Sequence, residues 1–116
     1  MNDATTTLTA LRTAVAEFVD ARDWRQFHNP KNLSMSIAIE AAELMEHFQW
    51  LDGRDAAGLA EQPDDLRKVR EELADVFCYV LSLANVLEID LSAALREKLA
   101  ANACKYPVET FRGRFR

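Results

Sequence analysis

Two pairs of carboxylates are the residues of this chain whose type and spacing are best suited to chemistry. Glu40 and Glu43 lie three positions apart, and so do Glu72 and Asp75. Residues at this spacing share one face of an α-helix, so each pair would present two negative charges side by side. No Lys or Arg occurs between positions 33 and 51, so the first pair has no basic partner in its own segment. Either solvent or a bound cation must therefore stabilise these charges.

A divalent cation with oxygen ligands is the sharper of these two interpretations. For a single acidic pair, a solvated helix face is the commoner outcome. Two pairs on successive antiparallel helices could instead meet at one site, and carboxylate ligands suit Mg²⁺ or Mn²⁺. A di-iron site would need Glu-x-x-His on each of two helices, whereas His47 follows Glu43 by four residues and the second acidic segment has no His. Zinc is disfavoured because neither Cys lies near a His.

Aromatic residues accompany the carboxylates. Trp24 lies in the connector ahead of the first pair. Trp50 follows the first pair, and Tyr79 the second, at a spacing that places each ring on the same helix face as its carboxylates. Such rings most often plug the end of a helical bundle. Beside a metal site they could also hold a base, and a cation for phosphates with rings for a base describes a nucleotide site. His28 and Asn29 could either cap a helix or contact the edge of that base.

The elements that must position these residues are predicted to be helices. Only three Gly and three Pro occur, while Ala, Leu and Glu are abundant, which favours helix over sheet. Asn29 followed by Pro30, and Asp90 further on, are typical helix starts. Helices are predicted over residues 5–22, 30–52, 64–88 and 91–105, with a loop over 53–63. We therefore expect an all-α, four-helix bundle.

Within these helices, apolar residues at helical spacing predict the core. On the third helix, Leu73, Phe77 and Leu87 are among the positions expected to be buried. The chain is predicted to form one domain over residues 1–116, with an ordered core at about 5–107 and a basic tail at 108–116. A chain of this size could need a second subunit to form a deep cleft.

Composition limits the partners and the compartment. The net charge is −5 although the last five residues include three Arg, so the rest of the chain is more acidic still, which argues against a nucleic acid polymer. The most apolar run, residues 76–87, is interrupted by polar groups and is too short for a membrane span. The first residues lack the features of a signal peptide, and Cys78 and Cys104 form no disulfide pattern. A cytoplasmic protein with reduced thiols is expected.

Several motifs taken together resemble the all-α MazG-like nucleoside triphosphate pyrophosphohydrolases, and most closely their dCTP pyrophosphatase branch. The acidic pairs match the ExxE and ExxD motifs of that family. The surrounding matches are RDWRQFHNPKNL, EAAELMEHFQW, EELADVFCYVLSLA and the spacing Lys98-x3-Asn102-x2-Lys105-Tyr106-Pro107. The resemblance extends from Arg22 to Pro107. It implies Mg²⁺-dependent cleavage between the α and β phosphates, giving a nucleoside monophosphate and pyrophosphate.

The resemblance also implies roles for individual residues. The metal ligands would be Glu40, Glu43, Glu72 and Asp75, and the candidates for a general base are Glu43 and Glu46. Trp24 and Trp50 would stack on the base, with Tyr79 near the sugar or the base. The triphosphate contacts would be Lys98, Asn102, Lys105, Tyr106 and, more weakly, Lys31. Mn²⁺ could replace Mg²⁺.

One departure from the family concerns the choice of base. The animal dCTP pyrophosphatases place a substrate-facing His on the first helix, where this chain has Val15. The preference for dCTP or for modified, noncanonical dNTPs is therefore implied by the branch and not by a complete set of pocket residues. The resemblance further implies a homodimer or homotetramer that forms through the helices and shares its pocket between subunits. The alternatives are a non-catalytic oligomerisation or nucleotide-sensing module and a purely structural bundle.

Overall fold

The computed structural model describes residues 1–115, and over this range the secondary structure is entirely helical. Six α-helices are present in that range: α1 (Leu8–Ala21), α2 (Pro30–Glu46), α3 (Gly53–Ala57), α4 (Pro63–Leu87), α5 (Leu91–Lys105) and α6 (Val108–Phe111). Two 3-10 turns, Arg25–Phe27 and Gly58–Glu61, connect them. The predicted all-α class is confirmed, and Arg116 of the predicted basic tail lies outside the described residues.

The predicted helix starts are confirmed by their caps. The Asn29 side chain accepts a hydrogen bond from the backbone N–H of Asn32 at 2.9 Å, with Pro30 in the first helical position of α2. Asp90 accepts one from the backbone N–H of Ala93 at 2.9 Å and begins α5. Each cap supplies an acceptor to an N–H that has no partner inside the helix.

The second predicted helix is shorter than expected. α2 ends at Glu46, and residues 47–50 form turns. The backbone N–H of Phe48 bonds the carbonyl of Met45 at 2.9 Å, three residues back, so the chain tightens before Asp52 caps α3. The predicted loop over 53–63 is also wrong, because most of it is helical. The four expected helices are thus accompanied by the short helices α3 and α6.

α4 is the element against which α1, α2 and the 3-10 turn Gly58–Glu61 pack. α2 runs along it with the most extensive helix pairing in the described chain, and α1 packs against it less extensively. Leu33 of α2, Val19 of α1, and Leu81 and Ala84 of α4 are buried where these helices meet. The buried apolar core therefore lies around the second half of α4, while the acidic pair lies in its first half.

Three predicted core positions of α4 are exposed in the single chain. Leu73, Phe77 and Leu87 retain 55%, 43% and 48% of their side-chain accessibility. α1 and α2 cover only part of the circumference of α4, so its remaining apolar residues have no cover from the described residues. The sequence pattern identified the apolar residues of α4 correctly, but their burial requires a neighbour that residues 1–115 of a single chain do not supply.

The end of α4 redirects the chain. Glu88 has a left-handed backbone conformation (φ 54°), and α5 leaves at 103° to α4. Arg12 of α1 holds this corner, because its Nε donates to Asn85 Oδ1 at 3.0 Å and its guanidinium also donates to the Ile89 carbonyl at 2.6 Å. α5 makes no extensive packing contact with another helix within residues 1–115.

The resulting surface is large for the mass of the chain. The accessible area is 9277 Å², whereas a compact monomer of 13.1 kDa exposes about 6,400 Å². Among the described helices, none is individually long and apolar enough to cross a membrane, and α4 with α5 reach that length and composition only as a bent pair.

Candidate active site

The main feature of the site is an acidic cluster formed by α2 and α4. Glu40 and Glu43 lie on one face of α2, and Glu72 lies on the facing side of α4. Each of the three offers a carboxylate oxygen, and these oxygens all lie within 4.8 Å of one another. The sequence prediction that the two acidic segments meet is thus confirmed for these three residues.

Asp75, the fourth predicted ligand, lies one helical turn after Glu72 and is close enough to act electrostatically on the cluster. Burial, followed by interactions with Glu43, Asp75 and Glu72, raises the pKa of Glu40 to about 7. Burial also raises the pKa of Glu72, with the negative charges of Glu43 and Asp75 adding to it and His47 opposing it. Carboxylates this close cannot all be ionised without a compensating positive charge.

The donor atoms of the cluster fit a hard divalent cation. Glu40 Oε2 and Glu72 Oε2 are buried and have no hydrogen-bond partner among the described residues. Buried carboxylate oxygens without a partner are costly, and a cation that prefers oxygen ligands would satisfy them. His47 lies at the edge of the cluster, with its Nε2 at 4.0 Å from Glu72 Oε1. Glu46 is exposed at the last position of α2.

A row of rings leads from the acidic cluster to the connector between α1 and α2. The ring centroids of Tyr79 and His28 are 6.4 Å apart, and those of His28 and Trp24 are 6.5 Å apart. Trp24 then makes an edge contact with Phe18 at 5.8 Å. Burial and the negative charges of Glu40 and Asp75 raise the pKa of the Tyr79 hydroxyl, as expected for a residue near these carboxylates. Three of the predicted substrate-binding residues therefore lie together beside the cluster.

Trp50 does not lie where the helical pattern predicted it. α2 ends before it, so Trp50 is in the turn that follows, and 88% of its side chain is exposed. Lys31 is exposed in the first turn of α2, at the opposite end of that helix from Glu46. Neither side chain belongs to the row of rings that leads from the connector to the acidic cluster.

The predicted phosphate ligands lie on a separate helix. Lys98, Asn102 and Lys105 are on α5, and Tyr106 caps its end through a hydrogen bond to the Asn102 carbonyl at 2.8 Å. Lys105 Nζ lies 5.4 Å from the centroid of the Tyr106 ring. α5 leaves α4 at 103° and makes no extensive contact with either acidic helix, so these four residues extend away from the carboxylates of their own chain.

A cavity of about 460 Å³ opens beside the row of rings, between α1, the connector and the end of α4. His28 and Val15 line it, and so does Ser82, which the sequence analysis did not single out. Ser82 falls at the helical spacing of Glu72, Asp75 and Tyr79, and this spacing was the signal that could have identified it.

The helices α2 and α4 thus carry an ExxE and an ExxD motif, and Glu40, Glu43 and Glu72 of these motifs form a cluster beside aromatic side chains, which defines an all-α protein with a candidate cation site. The MazG-like family model matches residues 35–114, and the chain belongs to this family.

Individual relatives agree with this assignment. The chain is 40% identical over 107 residues to dCTP pyrophosphatase 1 of Rattus norvegicus and 37% identical over 106 residues to that of Homo sapiens. These matches cover 92% and 91% of this chain, which spans 63% and 62% of the two relatives' lengths. A crystal structure of a pyrophosphatase from Archaeoglobus fulgidus is 38% identical and superposes with a TM-score of 0.81, covering 92% of this chain and 98% of that one.

Proposed function

We propose that this protein is a Mg²⁺-dependent nucleoside triphosphate pyrophosphohydrolase that converts a dNTP to a dNMP and pyrophosphate. The observation that carries the proposal is the cluster of Glu40, Glu43 and Glu72, with ligand atoms within 4.8 Å of one another next to a row of rings. The relatives named dCTP pyrophosphatase 1 and the structural neighbour named a pyrophosphatase support the same reaction.

Glu40, Glu43, Glu72 and Asp75 would hold the cation. Mg²⁺, or Mn²⁺ in its place, supplies charge neutralisation for the phosphates and makes a water more acidic. The protein supplies the oxygen ligands and the geometry between α2 and α4, and His47 stabilises the ionised form of Glu72. Glu43 and Glu46 remain the candidates for the base that accepts the proton of the attacking water.

The base of the nucleotide would lie on the connector side of the cluster. Trp24, His28 and Tyr79 form a continuous row there, so a sugar next to Tyr79 would leave the base near His28 and Trp24. Trp50 is too exposed to form a wall in one chain, so its stacking role requires closure of the turn or cover by another subunit.

The phosphate-binding role proposed for α5 requires a second copy of the chain. Lys98, Asn102, Lys105 and Tyr106 do not reach the cluster of their own chain, as the 103° divergence of α5 dictates. The large accessible area and exposed apolar residues such as Leu73 and Phe77 support a homodimer or homotetramer built through the helices. In such an assembly, α5 of one subunit would complete the site of another.

The substrates we propose are dCTP and modified, noncanonical dNTPs, whose removal would keep the nucleotide pool suitable for DNA synthesis. The dCTP pyrophosphatase relatives support the cytosine preference, while Val15 replaces the His expected at that position. Such a substrate pool agrees with the expected cytoplasmic location, and the acidic body of the chain agrees with a free nucleotide and not a nucleic acid polymer as ligand.

A pyrophosphate-release screen tests the proposal. The full chain is incubated with Mg²⁺ or Mn²⁺ and each canonical, methylated or oxidised dNTP, and both products are measured. Glu43→Gln should abolish release while the helical content is retained, because it removes a charged ligand from the cluster. Glu17→Gln, at an exposed position of α1, is the matched control and should keep full activity. Nucleotide-induced stabilisation without any turnover would favour the non-catalytic nucleotide-sensing module instead.

A further inference from the structure

One stripe of α4 extends from the acidic cluster into the cavity beside α1. Glu72, Asp75, Tyr79, Ser82 and Val86 recur at alternating intervals of three and four residues, so they share one face of the helix. Ser82 follows Asp75 by seven residues, a rise of about 10 Å along the helix axis. This is the order of distance that a sugar and a base cover when they extend from an α phosphate. The stripe therefore has carboxylates at one end and Ser82 at the other.

Ser82 is a buried polar residue without an obvious structural purpose. Only 4% of it is exposed, and its Oγ has no hydrogen-bond partner among residues 1–115. A buried helical Ser normally bonds a carbonyl of the preceding turn, and leaving the hydroxyl unpaired destabilises the fold. Ala would fit the same position without that cost. The hydroxyl thus points to a ligand.

The cavity offers a second buried polar atom with the same property. His28 Nδ1 is buried, has no partner among the described residues, and belongs to a residue that lines this cavity. The other walls include the apolar side chains of Val15, Val19 and Val86, together with the polar residues Arg25, Asn29, Asn85 and Glu88. A partly apolar cavity with two unpaired buried polar atoms is typical of a pocket for a planar, partly polar ligand.

The row of rings connects this cavity to the acidic cluster. His28 lines the cavity and lies 6.4 Å, centroid to centroid, from Tyr79. Tyr79 is in turn influenced by the charges of Glu40 and Asp75. A nucleotide with its phosphates at the carboxylates and its sugar at Tyr79 would place its base in the cavity.

We propose that Ser82 is a specificity-determining residue, whose hydroxyl forms a hydrogen bond with the polar edge of the nucleobase in this cavity, alongside His28 Nδ1. This inference rests on the proposed function and adds the means by which the site chooses a base. A base that pairs both atoms gains affinity, and a base that leaves them unpaired is penalised by the buried polar groups. The Ser82 hydroxyl does not touch the reacting phosphorus, so it acts on binding and not on the chemical step.

The test compares wild type with Ser82→Ala and, as the matched control, Ser92→Ala at an exposed position of α5. Steady-state kinetics with Mg²⁺ are measured for dCTP, dTTP, dATP and dGTP. Binding of the four corresponding α,β-imido analogues, which resist cleavage at the reacting bond, is measured by calorimetry. Ser82→Cys serves as a second variant, because it keeps the shape of the side chain, with a larger sulfur atom, while weakening its hydrogen bonding.

We expect Ser82→Ala to raise KM and weaken analogue binding about tenfold for the preferred base, with kcat nearly unchanged. For the poorest base, KM and analogue affinity should change by no more than about twofold. The ratio of kcat/KM between the preferred and the poorest base should therefore fall. The melting temperature of ligand-free Ser82→Ala should be equal to or above that of wild type, because an unpaired buried hydroxyl is removed. Ser92→Ala should match wild type in every measurement.

Two results would overturn the proposal. One is an equal loss, or no loss, for all four bases in both Ser82 variants while wild type remains active. The other is selective analogue binding by wild type that Ser82→Ala leaves intact. If wild type cleaves no dNTP but its base-selective binding of the analogues depends on Ser82, the catalytic assignment fails while the assignment of the cavity stands.

Discussion

Cation binding to the acidic cluster should depend steeply on pH, because a proton must leave before the cation can bind. Burial, followed by interactions with Glu43, Asp75 and Glu72, raises the pKa of Glu40 to about 7. Its carboxylate is a ligand only when ionised, so cation and proton compete for the same oxygen atoms. The competition is set by the fraction of Glu40 that is protonated at a given pH.

The size of the effect follows from that pKa. With a pKa of about 7, Glu40 is roughly nine-tenths protonated at pH 6 and roughly one-tenth protonated at pH 8. The apparent affinity for Mg²⁺ should therefore rise about tenfold between these two pH values. Proton release per bound cation should fall from about 0.9 at pH 6 to about 0.1 at pH 8.

Calorimetric titration of the ligand-free protein with Mg²⁺ and with Mn²⁺ measures both quantities. Titrations at pH 6, 7 and 8, each in two buffers with different ionisation enthalpies, give the affinity and the number of protons released. Glu40→Gln cannot ionise at this position, so it should bind the cation more weakly and lose the proton release assigned to Glu40. The reasoning is refuted if affinity is the same at pH 6 and pH 8 and no proton is released at either.

The same pKa determines how pH affects the metal-free fold. A raised pKa means that the folded state binds the proton more tightly than the unfolded state does. The stabilisation by protonated Glu40 is complete below about pH 4.5 and is lost as the pH rises through about 7. The melting temperature of the metal-free protein should therefore decline between pH 5 and pH 8, and Mg²⁺ should oppose this decline most strongly at the higher pH.

Two further predictions concern assembly and the corner after α4. Mixing inactive Glu43→Gln with inactive Lys98→Ala under conditions of subunit exchange should restore activity. In a random dimer, about a quarter of the sites combine an intact acidic cluster from one subunit with an intact α5 from the other. Arg12→Ala should lower the free energy of unfolding by about 1–3 kcal/mol, measured by urea denaturation, since the side chain loses its bonds to Asn85 and the Ile89 carbonyl.

Matched controls separate these effects from general damage. For the mixing experiment, Glu43→Gln with Glu40→Gln should stay inactive, because both changes lie in the same half of the site. Full activity of Lys98→Ala alone would contradict the assignment of α5 to the site. For the corner, Arg54→Ala, at an exposed position of α3, should have little effect, and an equal loss in both Arg variants would contradict the bonding argument.

The acidic motifs could be predicted from sequence because they depend on local geometry. Glu40 and Glu43 share a helix face by spacing alone, and the absence of a basic neighbour signalled an external cation. The caps at Asn29 and Asp90 are equally local, since each acceptor bonds an N–H three residues away. The prediction that Glu72 would meet the first pair needed only that the two long helices pack together.

Features that depend on tertiary arrangement were not accessible in this way. The end of α2 before Trp50 is set by tightening of its last turn, which helical periodicity does not report. The exposure of Leu73 and Phe77 depends on which neighbours cover α4, and an apolar pattern is the same with or without them. Ser82 shares the helical spacing of Glu72, Asp75 and Tyr79, but its burial and its missing hydrogen-bond partner are known only from the structure.

The divergence of α5 from α4 has a consequence for how the amount of this protein controls its activity. If α5 serves the site of another subunit, an isolated chain has carboxylates without phosphate ligands, and catalytic capacity appears only on association. Activity at low concentration would then grow with the square of the chain concentration, as expected for a dimerising catalyst. Halving the amount of chain would then lower the activity about fourfold, without any inhibitor.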